Sequence, residues 1–273
     1  VSGDDTDRDQ AAPPVELLVL RAPNPGPMTL TGTNTWVVRD GAQVWVVDPG
    51  PKDPEHLADV LLACGAGAQP MGVLVTHHHP DHSAGAATLA RQLAARSGSP
   101  VPLWAADQGA VVGSRPLPST LEGDQGTVGH VIHLPGHTAD SVGLLLQGGR
   151  MLTGDTLLGG SSTVIVPEHG GDLGEYLQSL AILRAMTVDG RISSLHPGHG
   201  DPYGSPLEAL EAIDAAIEHR LQRIEQVRRA RTAGILTMDR LLRVVYGAEL
   251  PAELEKAARW NLRATLDHLA ANG

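Results

Sequence analysis

Phenylalanine is missing altogether from this chain, and the other aromatics are few, with four tryptophans and three tyrosines among 273 residues. The core must therefore be built from Leu, Val, Ile and Ala around a few Trp. Lysine occurs only at Lys52 and Lys256, a bias that carries no functional reading. Cys64 is the single cysteine, which excludes an intrachain disulfide; its setting, Val60-Leu61-Leu62-Ala63-Cys64, reads as the apolar face of a helix and a buried, inert thiol. No apolar run is long enough to span a bilayer, and residues 1–10 are acidic and polar, without the apolar stretch of a signal peptide. A reducing, cytoplasmic setting is the expectation, with no membrane partner.

Positive charge is also scarce. The formal net charge is −11, and residues 1–203 supply all of it, with 10 basic and 21 acidic side chains; residues 204–273 hold 10 of each. Such a body offers no broad electrostatic footprint for duplex DNA or an anionic membrane.

Short β-branched runs and helical patterns alternate over the first 200 residues. Strands are expected near 15–20, 34–39, 43–48, 73–76, 128–134, 141–147, 163–166 and 192–195. Asp40-Gly41 marks a hairpin between the second and third of these. Helices are expected over 54–64, 84–96 and 173–186, the first opened by Asp53-Pro54 as N-cap and N1. Hairpins followed by strand-helix units suit a mixed, layered α/β architecture, and the lack of a G-x-G-x-x-G after the first strand argues against a dinucleotide fold. From Pro206 the pattern turns almost wholly helical, with helices over 206–231, 238–246 and 251–271. Three segments follow: an extended or disordered N-terminus (1–14), a catalytic body (15–203) and a small helical C-terminal domain (204–273).

The chemistry lies at strand ends. Val73-Leu74-Val75-Thr76 runs directly into His77-His78-His79-Pro80-Asp81-His82, where Pro80 stiffens the turn and short ligand side chains can converge. Neutral imidazole and carboxylate are the zinc ligands where no thiolate is available. Three further strand ends each place a ligand-type residue among small neighbours: Pro135-Gly136-His137-Thr138, Thr153-Gly154-Asp155-Thr156 and His196-Pro197-Gly198-His199-Gly200. Four unrelated strand-end residues would be the bland account; their number and setting point instead to a metal centre.

With these motifs the chain resembles the metallo-β-lactamase superfamily. Its H-x-H-x-D-H signature stands as His77-x-His79-x-Asp81-His82, and the family's later ligands match His137, Asp155 and His199 in the same order. The resemblance covers residues 15–203 and implies an αββα sandwich with metals at one edge. It implies two divalent ions, zinc by expectation with manganese or iron as alternatives. One would take His77, His79 and His137, the other Asp81, His82 and His199, and Asp155 would bridge them. It further implies a hydrolase whose nucleophile is a metal-bridging hydroxide, with Asp81 as the catalytic residue that orients it and serves the leaving group. Asp48, closing the strand 43–48, is implied as support for the metal loop. His169, on a Gly-rich loop, is a candidate substrate contact, and His196, beside the His199 turn, a candidate support. His78, between ligands, is expected to point away.

Over the whole chain the pattern is similar to the lactamase-β-like group, whose members include a mitochondrial single-strand endoribonuclease. The carriers are Gly32-Thr33-Asn34-Thr35, Pro135-Gly136-His137-Thr138-x-Asp140-Ser141 and Tyr176-x-x-Ser179-Leu180, with a tail that resembles that group's winged-helix-like end. Single-stranded RNA is thus the first expected substrate, and acyl thioesters or related small esters the alternative. A nucleic-acid-binding or scaffold protein with a vestigial metal site is the reading from another class. Arg220, Arg223, Arg228, Arg229 and Arg231 crowd one helix as an RNA surface would, but Glu218 and Glu225 interleave and no aromatic row accompanies them. A lid or a homodimer surface is the other use for such a tail.

Overall fold

The computed structural model describes residues 15–272; the segment 1–14 expected to be extended or disordered lies outside them. Two sheets face one another. The first takes, in spatial order, β1 (Glu16–Arg21), β2 (Asn34–Asp40), β3 (Gln43–Val47), β4 (Gln69–Leu74), β5 (Leu103–Ala105) and β6 (Arg115–Pro116). β1 to β3 are antiparallel and β3 to β6 parallel. The second takes β11 (Ser194–Pro197), β10 (Arg150–Gly154), β9 (Val142–Leu146), β8 (Gly126–His133) and β7 (Thr120–Gly123), antiparallel except for the β10–β11 pair.

The period of two decides which side chain faces which layer. In the first sheet Trp36, Val38, Trp45, Val47 and Leu74 point inward and meet Leu121, Val128, Leu144, Leu146 and Leu152 of the second. The alternate residues Val37, Val44, Val46 and Val73 point outward under α1 (Pro54–Ala63) and α3 (Ala86–Ser97), against Leu57, Val60, Leu89 and Leu93. The outer face of the second sheet packs on α4 (Leu173–Val188) and the first half of α5 (Pro206–Thr232), through Leu134, Met151, Leu180, Leu183, Ala209 and Ile213. The result is the expected αββα layering.

Helix starts follow local chemistry. The Asp53 carboxylate accepts the His56 amide ahead of Pro54, and Asp172 accepts the Glu175 amide ahead of α4. Ser205 and Glu208 close a reciprocal capping box at the head of α5. The second half of α5 carries Val227 and Ala230 into a cluster of its own with Leu241, Leu242 and Val245 of α6 (Met238–Tyr246) and Ala258 and Leu262 of α7 (Ala252–Asn272). The tail is helical as expected, but no strand follows Pro197 among the described residues, so it has no paired wing. Among the described residues, no helix is long and apolar enough to cross a membrane.

Two expectations need correction. Residues 163–166 pair with no strand: the Ile165 amide donates to Asn261, the Val164 carbonyl accepts from His137, and the Val166 amide and carbonyl bond to backbone outside the sheets. The short strands β5, β6 and β7 were not expected; two to four residues give too little alternation to read. Cys64 is buried, as read, directly after α1.

Candidate metal centre

β4 is flanked by β3 and β5 on its own sheet, and the chain leaves it through Val75 and Thr76 into a single helical turn, α2 (Pro80–Ser83). Pro80 occupies the first helical position, the His82 and Ser83 amides donate to the His79 carbonyl, and the Ser83 hydroxyl donates to the His78 carbonyl. Within six residues the backbone thus aims His77, His79, Asp81 and His82 at one place. His137 follows β8, Asp155 follows β10 and His199 follows β11, all at the same edge of the sandwich.

Four groups of three ligand-type side chains gather here, and two of them correspond to the expected ion sets. In the first, His77 Nε2 and His137 Nε2 each lie 3.0 Å from His79 Nδ1. In the second, His199 Nε2 lies 3.2 Å from His82 Nε2 and 3.1 Å from Asp81 Oδ2, with His82 Nε2 3.4 Å from Asp81 Oδ2. Asp155 stands between them. Its Oδ2 is 3.4 Å from His199 Nε2, 3.7 Å from His137 Nε2 and 4.0 Å from His77 Nε2, while its Oδ1 is 3.4 Å from His82 Nε2.

The ring nitrogens that do not face the triads are held from behind, which fixes tautomer and orientation. His82 Nδ1 meets Asp48 Oδ2 at 2.9 Å, and Asp48 also accepts the Thr76 amide and hydroxyl, both at 2.7 Å. His77 Nδ1 meets the Thr76 hydroxyl, His137 Nδ1 the Val164 carbonyl, and His199 Nδ1 the Gly32 carbonyl. His79 Nε2 meets His169 Nδ1 at 2.7 Å. Asp48 sits at φ 50°, left-handed backbone that an Asp or Asn tolerates better than most residues. Gly198 leaves the space these groups use: a Cβ there would stand 2.6 Å from Asp155 Oδ1 and 2.8 Å from His82 Cε1.

The electrostatics fit cations. Burial, together with the neighbouring imidazoles, pushes His77 and His137 down and His79 to about 3, so the first triad presents three neutral rings with lone pairs converging. Burial would raise Asp155 and Asp81, but His199 and His82 override it and hold both as carboxylates. Burial would lower His82 and His199; Asp81 outweighs it at His82, and Asp155 at His199, which rises to about 9. The second triad therefore demands positive charge. Asp155 Oδ1, buried and without a hydrogen-bond partner among the described residues, is an acceptor that an ion would satisfy.

All seven residues expected as ligands come together, with Asp48 behind them and His169 at the rim. His196 does not. It packs edge-on against Trp36, ring centroids 5.1 Å apart, and meets the Ser194 hydroxyl at 2.9 Å, because strand alternation turns it from the edge where His199 lies. His78 turns away to Asp140, 2.8 Å off, and His130 and His133 are exposed. Sequence reasoning missed Thr76, whose hydroxyl links Asp48 to His77, and the Asn34 amide, which donates to the Pro197 and Gly200 carbonyls and fixes the His199 turn. Gly32-Thr33-Asn34-Thr35 was legible as a motif, but its reach across to the other sheet was not.

Comparison with known proteins agrees with this geometry. Residues 28–194 match the profile of the Metallo-beta-lactamase superfamily. A Beta-lactamase-like protein 2 homolog of Drosophila melanogaster is 31% identical over 92% of this chain and 86% of its own length. A Hydroxyacylglutathione hydrolase of Anaeromyxobacter dehalogenans is 35% identical over 70% of this chain and 71% of its own. An Atrochrysone carboxyl ACP thioesterase of Aspergillus fumigatus is 29% identical over 85% of this chain and 73% of its own. The crystal structure of a Beta-lactamase domain protein from Burkholderia ambifaria superposes with a TM-score of 0.77 at 25% identity, over 96% of this chain and 88% of that one. Signature, sandwich and paired triads thus coincide with measured kinship: the chain belongs to the metallo-beta-lactamase superfamily and is a hydrolase of that superfamily.

Proposed function

We propose that this protein hydrolyses acyl thioesters or related small esters with two divalent ions, zinc by preference. His77, His79 and His137 would hold one ion, Asp81, His82 and His199 the other, with Asp155 between them. The observation that carries the reading is the orphaned Asp155 Oδ1 set between two converging ligand triads. Two such ions together acidify a water and polarise the carbonyl of the scissile bond.

The chain's own groups do the remainder. Asp81 is more open than Asp155, its side chain 27% exposed against 10%. From there it accepts a hydrogen bond from the attacking water, orients it, takes its proton as the C–O bond forms and passes that proton to the leaving sulfur. A C–O bond forms and the C–S bond breaks, giving carboxylate and thiol. Asp48, through His82, and His169, through His79, keep two ligands from turning. Next in sequence to His169, Pro167 and Glu168 line a groove of about 600 Å³ with Lys256 and Trp260 of α7. That groove suits the non-reacting arm of a substrate, and Lys256 lies over the Trp260 ring at 4.4 Å.

The thioester reading is preferred over RNA because four of the five arginines of α5 have partners within the molecule. Arg228 and Arg229 both pair with Glu225; Arg223 donates to the Val245 carbonyl and stacks on Tyr246; Arg220 is buried. Two of the relatives also bear thioester-hydrolase names. The test is turnover by zinc-reconstituted protein offered short acyl thioesters and single-stranded RNA side by side, with Asp155→Ala as control. Thioester cleavage that Asp155→Ala lowers by about a thousandfold, several kcal/mol of lost barrier reduction, is the expected result. RNA cleavage lost in the same variant, with thioesters intact, would overturn the substrate assignment and make this a nuclease.

A further inference from the structure

A charge sits in the core with no carboxylate beside it. Arg220, on α5, is only 4% exposed, and among the described residues it makes no ion pair. One guanidinium nitrogen, Nη2, donates to the Thr163 carbonyl, and Nη1 donates to Asn261 Oδ1 at 3.3 Å; the guanidinium carbon lies 5.2 Å from the centre of the Tyr176 ring. Asn261, on α7, accepts the Ile165 amide with the same oxygen at 2.9 Å. An uncompensated buried charge is costly, and an apolar side chain of similar volume would pack there at lower cost. A guanidinium has a use at this position that packing does not supply: its planar fork fixes two acceptors at once.

The acceptors lead to the metal ligands. Residues 163–165 belong to no strand, so their position rests on side-chain contacts. Thr163 Oγ1 donates to the Asp155 carbonyl at 2.8 Å, and the Val164 carbonyl accepts from His137 Nδ1. One residue on, the Val166 amide donates to the His137 carbonyl at 3.2 Å. Two ligands from different strand ends are thus tied to one irregular segment, and that segment is tied to α5 and α7.

We propose that Arg220 and Asn261 are positioning residues of the metal centre, a clamp by which the C-terminal helices set His137 and Asp155. This rests on the reading that those two residues hold the ions. It gives the arginine-bearing helix a task inside the molecule, distinct from nucleic-acid binding, lid closure or dimerisation.

The test reads metal, not turnover. Wild type, Arg220→Ala, Arg220→Lys, Asn261→Ala and Arg223→Ala are stripped and titrated with cobalt, following stoichiometry, affinity and the visible d–d bands, with far-UV circular dichroism as the fold check. Expected are two ions in the wild type and in Arg223→Ala. Folded Arg220→Ala and Asn261→Ala should bind at least one ion about tenfold or more weakly, with shifted d–d bands. Added guanidinium should restore Arg220→Ala and leave Asn261→Ala unchanged, since a cavity of about 280 Å³ lined by Leu158, Ser161, Ala216 and His219 adjoins Arg220 and admits the ion. Folded variants with wild-type affinity and bands overturn the clamp. Should Arg220→Ala fail to fold, Asn261→Ala and Arg220→Lys decide in the same terms. A wild type that takes up no cobalt overturns the metal reading itself, a different failure from that of the clamp.

Discussion

At the scale of single residues, the clustering of the candidate ligands was legible because metal chemistry admits few residue types and the H-x-H-x-D-H spacing leaves little freedom in a one-turn helix. The groups behind the ligands divide by how local they are. Asp48 could be read only through the family resemblance, as the residue that follows β3. Its replacement by Asn keeps a side chain that tolerates φ 50° and removes the charge that faces His82 Nδ1. Metal affinity, read by competition with a chromophoric chelator, is expected to fall 10- to 100-fold in Asp48→Asn with the fold intact. His196, carried as a candidate support, packs as a strand-end residue on Trp36 and Ser194, and that setting gives a pH prediction. Burial, with Arg150 nearby, lowers it to about 4. Its folded value thus lies below the unfolded one near 6.5, and the native state keeps the ring neutral while the unfolded chain takes up a proton. Stability from this group is complete above about pH 6.5 and is lost as pH falls toward 4. Urea unfolding of chelated protein should show His196→Gln losing about 1–2 kcal/mol less than wild type across that window, the figure reduced for the partial exposure of the ring.

At the scale of elements, long helices and capped helix starts were read to within a residue or two, since period and cap chemistry are local. The segment 163–166 was not, because β-branched residues announce an extended backbone without saying what it pairs with. Here it pairs with side chains from α5 and α7, roughly a hundred residues away for Asn261. A close approach of elements also explains Gly136, one residue before His137, at φ 126° with its α-carbon against α4: a Cβ would stand 2.3 Å from the Tyr176 amide nitrogen and Cα. Both contacts are backbone and cannot yield. Gly136→Ala is expected to lower unfolding stability by about 3 kcal/mol or more, seen as a lower urea midpoint, and to weaken metal binding at the adjacent His137.

For the molecule as a whole, the sandwich stands on three buried clusters that lie between sheets and under helices, away from the ligand edge. The body is therefore expected to fold without the ions. Chelation is expected to leave far-UV circular dichroism unchanged and to lower Tm, with the loss returning on zinc addition in proportion to the logarithm of free metal over Kd. Collapse of secondary structure on chelation would show that the ions hold the fold together. The layered architecture was legible in the alternation of hairpins and strand-helix units. The junction of the tail with the body was not, because an amphipathic helix shows which face it buries but not against what.

The seam between the two sheets at the ligand edge has a consequence for a chain still being made. The His199 turn is closed by Asn34, through its amide on the Pro197 and Gly200 carbonyls and its backbone amide on the Gly198 carbonyl. A segment translated early must wait for one translated much later before the last ligand can be fixed. A nascent, stalled or proteolytically clipped product that ends between Asp155 and Gly198 carries six of the seven candidate ligands and lacks the closing turn. Such fragments are expected to be inert, so a cell making this hydrolase is not exposed to its half-finished copies.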